Sequence, residues 1–298
     1  MKICTAWIVL ILHLLCSCRN INIEENNRYN YLTLEFISSK VKHEPTEEAD
    51  SKASYFPYGF KTTIYIFNSK TFWPYIGGSP IIATSYCGSE LIPEKGIFLP
   101  KGIYDIYSVS DNTPFPLFLN IFQGTATGLV NRQDYLWAKR ENVILLKSEQ
   151  VTLSFNHLAC RLLVNISAED ISTSVIVNSF RMTLPETHSN FLSLADGYIS
   201  SSNNTQNLSL IEGYGNSREA LMLPCLAKLT FEFDAAVLTE GSVPVHKTFF
   251  GEIDKQFTGG NSYELTIKIK RDLTIKTELR FYPTYTVDNH IIFKSINN

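Results

Sequence analysis

Six histidines are the residue type best suited to proton transfer near neutral pH. They stand at His13, His43, His157, His188, His246 and His290. No two are spaced as a metal-ligand pair, and no GxSxG, HExxH, P-loop or GxGxxG motif occurs. The cysteines are Cys4, Cys16, Cys18, Cys87, Cys160 and Cys225, with no CxxC pair for zinc or redox chemistry. Glu47-Glu48 with Asp50 forms a short acidic run in a Ser- and Lys-containing stretch, which reads as a solvated loop. Glycosidase carboxylates need closeness in space rather than in sequence, and nothing in the chain points to them. The expectation is a protein that is not an enzyme and holds no cofactor or metal. One stretch does suggest binding. Phe72-Trp73-Pro74-Tyr75, followed by Gly77-Gly78, sets aromatic faces beside flexible glycines. Phe72, Trp73 and Tyr75 could stack on a sugar ring or plug the end of a β-sandwich.

A second kind of chemistry lies at the N-terminus. After Met1-Lys2, residues 6–15 read AWIVLILHLL, an apolar run of ten. A bilayer span needs about 20 residues, so this is the hydrophobic region of a secretory signal. Leu15-Cys16-Ser17-Cys18 resembles the bacterial lipobox, which ends on the cysteine that receives a diacylglycerol thioether. Cleavage between Ser17 and Cys18 would leave Cys18 as the lipidated first residue. With about 0.8 kcal/mol per buried CH₂, several acyl chains anchor a protein permanently. Residues 19–30 are Asn-rich and polar, as a solvated tether should be.

Composition narrows what the tether carries. The chain has 298 residues, 44% hydrophobic and 18% charged, which supports packed cores and argues against disorder. The net charge of −3 gives no basic excess to meet a phosphate backbone, so nucleic acid is excluded as a partner. No internal apolar run is long enough for a membrane helix. Aromatics make up 12%, carried by 19 Phe and 15 Tyr, residues that favour pleated surfaces. If Cys18 carries lipid, Cys87, Cys160 and Cys225 remain. One disulfide plus a thiol, or three buried thiols, would both fit, and Cys160 reads as a small core hydrophobe.

The elements are strands. Leu32, Leu34 and Phe36 alternate with polar residues, as do Leu229, Phe231 and Phe233, then Tyr263, Leu265, Ile267 and Ile269, then Leu273, Ile275, Leu279 and Phe281. Residues 63–67 and 103–109 are apolar on both faces and read as central strands. Gly259-Gly260-Asn261 predicts a hairpin joining Phe257 to Tyr263. Ser217 to Leu221 is the one stretch that could form a short helical turn. Val151, Leu153 and Phe155 share one parity, whereas Leu158, Cys160, Leu162, Val164 and Ile166 share the other. A regular strand cannot keep both sets on one face, so a bulge or corner falls near Asn156-His157. His157 itself reads as a corner histidine bonded to backbone. The expected organisation is a signal peptide at 1–17, a lipidated tether at 18–30, and β-sandwich domains at 31–149 and 150–298.

Five stretches, in order, resemble the fimbrillin family, the Mfa-like and FimA-like pilus and adhesin lipoproteins of Gram-negative bacteria. Residues 32–36 (LTLEF) follow the tether as the family's first strand does. Residues 98–105 (FLPKGIYD) are similar to its LPxGxYD strand start, and 134–138 (DYLWA) to its DLLYA-type segment. Residues 151–162 (VTLSFNHLACRL) resemble VxLxFxHxLSRL, and Gly259-Gly260-Asn261-Ser262-Tyr263 with Leu265 resembles GGxxYxL.

The resemblance implies an all-β fold of two tandem transthyretin-like antiparallel β-sandwich domains. It also implies assembly with other fimbrillin-like subunits by strand exchange. In that scheme a trypsin-like protease removes the first strand, here with Lys40 and Lys42 as candidate cuts, and a neighbour's C-terminal strand fills the groove. Residues 273–281, continuing through Tyr285 and Val287 to Phe293, are the candidate donor. Pro283 lacks a backbone donor and would interrupt a long donated strand, which favours a tip, anchor or accessory role over a stalk. The expected location is the cell surface, held to the outer membrane by lipid, with a host or bacterial surface protein or a glycan as candidate ligand. The alternative is an outer-membrane polysaccharide-binding lipoprotein using the Phe72 to Tyr75 loop.

Overall fold

In this computed structural model the described residues are 32–39, 58–71, 80–86, 90–122, 124–185, 190–201, 205–208 and 216–283. Among them every regular element is a strand, as the period-two patterns require. The first eleven are β1 (Leu32–Ser39), β2 (Lys61–Asn68), β3 (Ile81–Tyr86), β4 (Glu90–Pro93), β5 (Phe98–Leu99), β6 (Gly102–Ser110), β7 (Asn120–Phe122), β8 (Thr125–Thr127), β9 (Leu136–Leu145), β10 (Glu149–Ser154) and β11 (Asn156–His157). The rest are β12 (Cys160–Ala168), β13 (Thr173–Pro185), β14 (Leu192–Ser193), β15 (Tyr198–Ile199), β16 (Thr205–Leu208), β17 (Ser217–Met222), β18 (Leu229–Thr239), β19 (Val245–Ile253), β20 (Asn261–Ile269) and β21 (Ile275–Pro283). The stretch at Ser217 to Leu221 is therefore strand, not helical turn. β12 offers it a six-residue antiparallel ladder, and Ala220, Leu221 and Met222 are buried there.

Strands β10-β1-β4-β3-β2-β6-β9-β11 follow one another in a single sheet, with β5 on β1. The two ends of that order, β10 and β11, are one continuous stretch broken only at Phe155, so the sheet wraps around its own core. Leu34, Phe36, Ile64, Ile66, Leu99, Ile106, Leu153 and Phe155 belong to this core. β2 and β6, apolar on both faces, are central, as their composition requires. A second core lies between two four-stranded sheets, β17-β12-β20-β21 and β16-β13-β18-β19. Phe180, Phe231, Phe233 and Phe249 stack in its centre, with Phe233 and Phe249 at 4.9 Å between centroids. Such pairs add about 0.5–1.5 kcal/mol beyond area burial.

The sheets are not purely antiparallel. β1 runs parallel to β10, and β12 runs parallel to β20 over eight residue pairs. Parallel pairing needs a long crossover, and each of these pairs brings together residues about a hundred positions apart in the chain. Local alternation cannot report such a partner. The Gly259-Gly260 turn also departs from a simple hairpin. It precedes β20, but Phe257 pairs with Cys225 through two backbone bonds of 3.0 and 2.8 Å.

The phase change works as a switch between cores. Val151, Leu153 and Phe155 face the first core, Leu158 joins a third cluster, and Cys160, Leu162 and Val164 face the second. At the corner the partner changes from β1 to β9. The sequence places a boundary between 149 and 150. In the fold, hydrogen bonding to the first sheet runs on to His157, and the side chains change core between Phe155 and Cys160.

The third cluster joins residues of both halves. It includes Tyr65, Tyr107, Leu129, Trp137, Leu158, Leu192, Leu194, Ile199 and Leu223. A small sheet, β15-β14-β8-β7, lies over it, with β14 antiparallel to β8. Trp137 Nε1 donates to the Leu194 carbonyl oxygen (2.9 Å), and Lys139 Nζ donates to that of Ala195 (2.9 Å). The arm at 190–200 thus clasps the first half.

Candidate functional site

The residues with the strongest sequence claim to function are Ser17, Cys18, Lys40, Lys42, Phe72, Trp73 and Tyr75, and all lie outside the described residues. So does Cys87. What the structure places is the strand that Lys40 and Lys42 follow. β1 is seated between β10 on one side and β4 and β5 on the other. Leu34 and Phe36 point inward and are buried beside Leu91, Ile97, Leu99, Val151 and Leu153 of the same core. Glu35, between them, is exposed. A strand with one buried face, one solvated face and backbone partners on both edges is the geometry of an inserted ribbon. It is also the first of the described strands.

The C-terminal candidate behaves differently. Residues 275–283 form β21, the edge strand of its own sheet, paired with β20 over nine positions from Asn261↔Pro283 to Ile269↔Ile275. Leu273 turns the chain ahead of it with φ 61° and packs against the second core. The 273–281 part of the proposed donor is thus engaged within its own half. The cause is visible in the pattern: Ile275 and Leu279 pack against the second core, and Phe281 leans on Tyr263 with centroids 5.5 Å apart.

Two of the segments that carry the family resemblance, 134–138 and 151–162, meet at the corner, and the others brace their own halves. In FLPKGIYD, Leu99 is core, and the Tyr104 hydroxyl donates to the Pro100 carbonyl oxygen (2.9 Å). Asp105 sits where the β6–β9 register shifts. Its Oδ1 accepts from Asn142 N (2.8 Å) and Ser69 Oγ (2.7 Å), filling the bonding gap a bulge leaves. In DYLWA, Asp134 meets the corner histidine: His157 Nδ1 lies 2.7 Å from Asp134 Oδ1, with both side chains nearly buried. Asn112 Nδ2 donates to the other carboxylate oxygen (2.9 Å). His157, read from the sequence as a corner histidine, is thus held at the corner by a carboxylate. Nearby, burial pushes the Asp111 carboxyl up, against the pull of the Thr113 hydroxyl. Burial also raises the Tyr135 phenol to about 12. In GGNSYEL, the Tyr263 hydroxyl accepts from Thr258 N (2.9 Å).

Neither described cysteine is bonded to another. Cys160 and Cys225 are free and buried; burial raises the Cys160 thiol well above the ordinary range and also raises Cys225, against the pull of the Ala227 backbone bond. A buried thiol kept protonated is a poor nucleophile. Among the described residues no cluster of His, Cys, Asp or Glu is arranged to hold a metal ion. Asn165-Ile166-Ser167, which matches the N-glycosylation acceptor pattern, lies in β12, where the Asn165 amide donates to Glu264 (2.9 Å) and accepts from Ser217 (2.8 Å). One surface was not singled out from sequence: the stretch around β7, whose Phe115, Phe118 and Phe122 are exposed in the fold. Its one legible signal is an absence of charge.

No curated protein matches the chain in sequence. Solved structures match across nearly their whole length. A candidate cell adhesion protein of Bacteroides uniformis aligns with a TM-score of 0.58 at 16% identity, covering 87% of this chain and 99% of that one. A second from Bacteroides ovatus gives 0.57 at 10% identity, with 88% and 100% covered. A fimbrial protein of Bacteroides vulgatus gives 0.57 at 12% identity, with 84% and 99% covered. At such identities the likeness is one of fold. The sequence family described as fimbrillin-like matches residues 69–282, well over half of the chain and nearly all of its strands. The chain belongs to the fimbrillin-like family.

Proposed function

We propose that the protein is a surface-anchored structural and adhesive subunit, a tip, anchor or accessory component of a pilus, that assembles with other fimbrillin-like subunits by β-strand donation. Its two cores would correspond to two transthyretin-like domains in tandem. Cleavage between Ser17 and Cys18, lipid on Cys18 and the tether at 19–30 would hold it at the outer membrane. The observation that supports the reading is the seat of β1, with Leu34 and Phe36 buried and backbone partners on both edges. Replacing it with a neighbour's strand is β-augmentation. Each large apolar side chain so buried contributes about 1.5–3 kcal/mol before ordering costs. Because β21 is engaged with β20, the donor falls to residues 284–298, where Tyr285, Val287, Ile291 and Phe293 share a parity.

The test uses purified mature protein treated with trypsin, followed by mass spectrometry and electrophoresis without boiling. Strand donation predicts a ladder once β1 is lost by cleavage after Lys40 or Lys42. A product that has lost β1 and remains monomeric overturns self-polymerisation as a stalk and leaves the tip role standing. Mass spectrometry of the native N-terminus tests the anchor: an acylated Cys18 is expected, and an unmodified first residue refutes it.

A further inference from the structure

We propose that the outward face of the β7–β8 hairpin is a binding subsite for a neutral saccharide. The register sets Asn120 opposite Thr127 and Phe122 opposite Thr125. Opposed residues share a face, so an aromatic ring, an amide and two hydroxyls stand together on one side. The intervening pair, Ile121 and Ala126, turns inward and packs on the third cluster. An open cavity of about 590 Å³ lies against this face, lined by Leu119, Asn120, Ile121, Phe122, Thr125 and Thr127.

Three observations select the ligand class. Phe122 is 74% exposed, and Phe115 and Phe118 on the same stretch are 72% and 70% exposed. So much bare aromatic surface marks a contact site. The Asn120 amide and the Thr125 hydroxyl make no hydrogen bond to any described residue, and Thr127 Oγ1 makes only a long one, 3.4 Å, to the Asn120 carbonyl oxygen. Residues 112–131 contain no Asp, Glu, Lys, Arg or His, in a chain that is 18% charged. An anionic polymer would find no cation here. An apolar protein surface would bury the amide and hydroxyl unpaired, costing about 1–3 kcal/mol each. A neutral sugar suits all three, with C–H groups for the ring and hydroxyls for the amide and threonines. Support is rigid, since β8 is paired with β14 and the clasp at Trp137. The site draws on no residue of β1 or β21, so its test is separate from that of strand donation.

The test is a printed array of neutral and anionic oligosaccharides probed with the intact mature protein. Expected is retention on neutral saccharides, weakened about tenfold or more by Phe122→Ala and by Asn120→Ala. Phe250→Ala, an exposed phenylalanine on β19, should leave retention unchanged, and circular dichroism melts confirm that all variants fold. The proposal is overturned if no neutral saccharide is retained, if anionic saccharides are preferred, or if Phe122→Ala binds as the parent does. Concentration-dependent self-association lost in Phe122→Ala, without sugar binding, would instead assign this face to protein contact and equally overturn it.

Discussion

Replacing Gly197 with alanine should loosen the clasp between the two halves, and a second glycine supplies the control. Gly197 (φ +63°) and Gly241 (φ +77°) both adopt the left-handed conformation. A side chain there costs about 1–2 kcal/mol on backbone grounds alone. A Cβ at Gly241 meets nothing within 4 Å, so Gly241→Ala reads that backbone cost by itself. At Gly197 the added Cβ would lie 2.3–2.5 Å from three ring carbons of Trp137. Carbon contacts are optimal at about 3.5–4.0 Å, so the ring or the arm must move by more than an ångström. Trp137 is buried and pinned by its bond to Leu194, so it cannot swing away freely. Overpacking of this kind adds about 1–3 kcal/mol. Gly197→Ala should therefore lose about 2–5 kcal/mol and Gly241→Ala about 1–2. Urea midpoints at unchanged slope measure both. Hydrogen exchange should show protection falling at 124–127 and 190–200 in Gly197→Ala alone. Equal losses in the two variants, or unchanged exchange at 124–127, would refute the reasoning.

Phe155 marks the corner and is fully buried, so Phe155→Ala should cost about 3–5 kcal/mol by urea unfolding. His157→Ala strands the nearly buried Asp134 carboxylate with only part of its bonding. A loss of about 3–5 kcal/mol is expected, and Asp134→Asn, which keeps a hydrogen-bonding oxygen, should lose less. Alkali should destabilise the fold in a defined window. Burial raises Tyr65 and Tyr135 to about 12 from an ordinary phenol value of 10. The unfolded chain ionises first, so stability is full below pH 10 and falls as pH rises toward 12. Each phenol contributes on the order of 3 kcal/mol to that loss. Thermal melts between pH 9 and 12, with Tyr65→Phe flattening the slope, check the sign.

Alternation along the chain was enough to determine that this protein is built of strands, and the parity change between Phe155 and Leu158 was enough to locate its corner. Both are local facts, because side-chain direction in a strand depends only on position modulo two. The ordered motifs likewise marked the family, and two of them supply Asp134 and His157, which meet at the corner. Ser217 to Leu221 misled because a short segment has no strong preference, and β12 supplied the ladder that decided it. Which strands pair lay beyond the sequence. β1 on β10 and β12 on β20 join residues about a hundred positions apart, and no short window contains both partners. The same holds for His157 and Asp134, twenty-three positions apart, and for the exposed phenylalanines at 115, 118 and 122. A hydrophobic side chain carries no record of whether another surface will cover it, and only the packing of distant segments settles which ones stay bare.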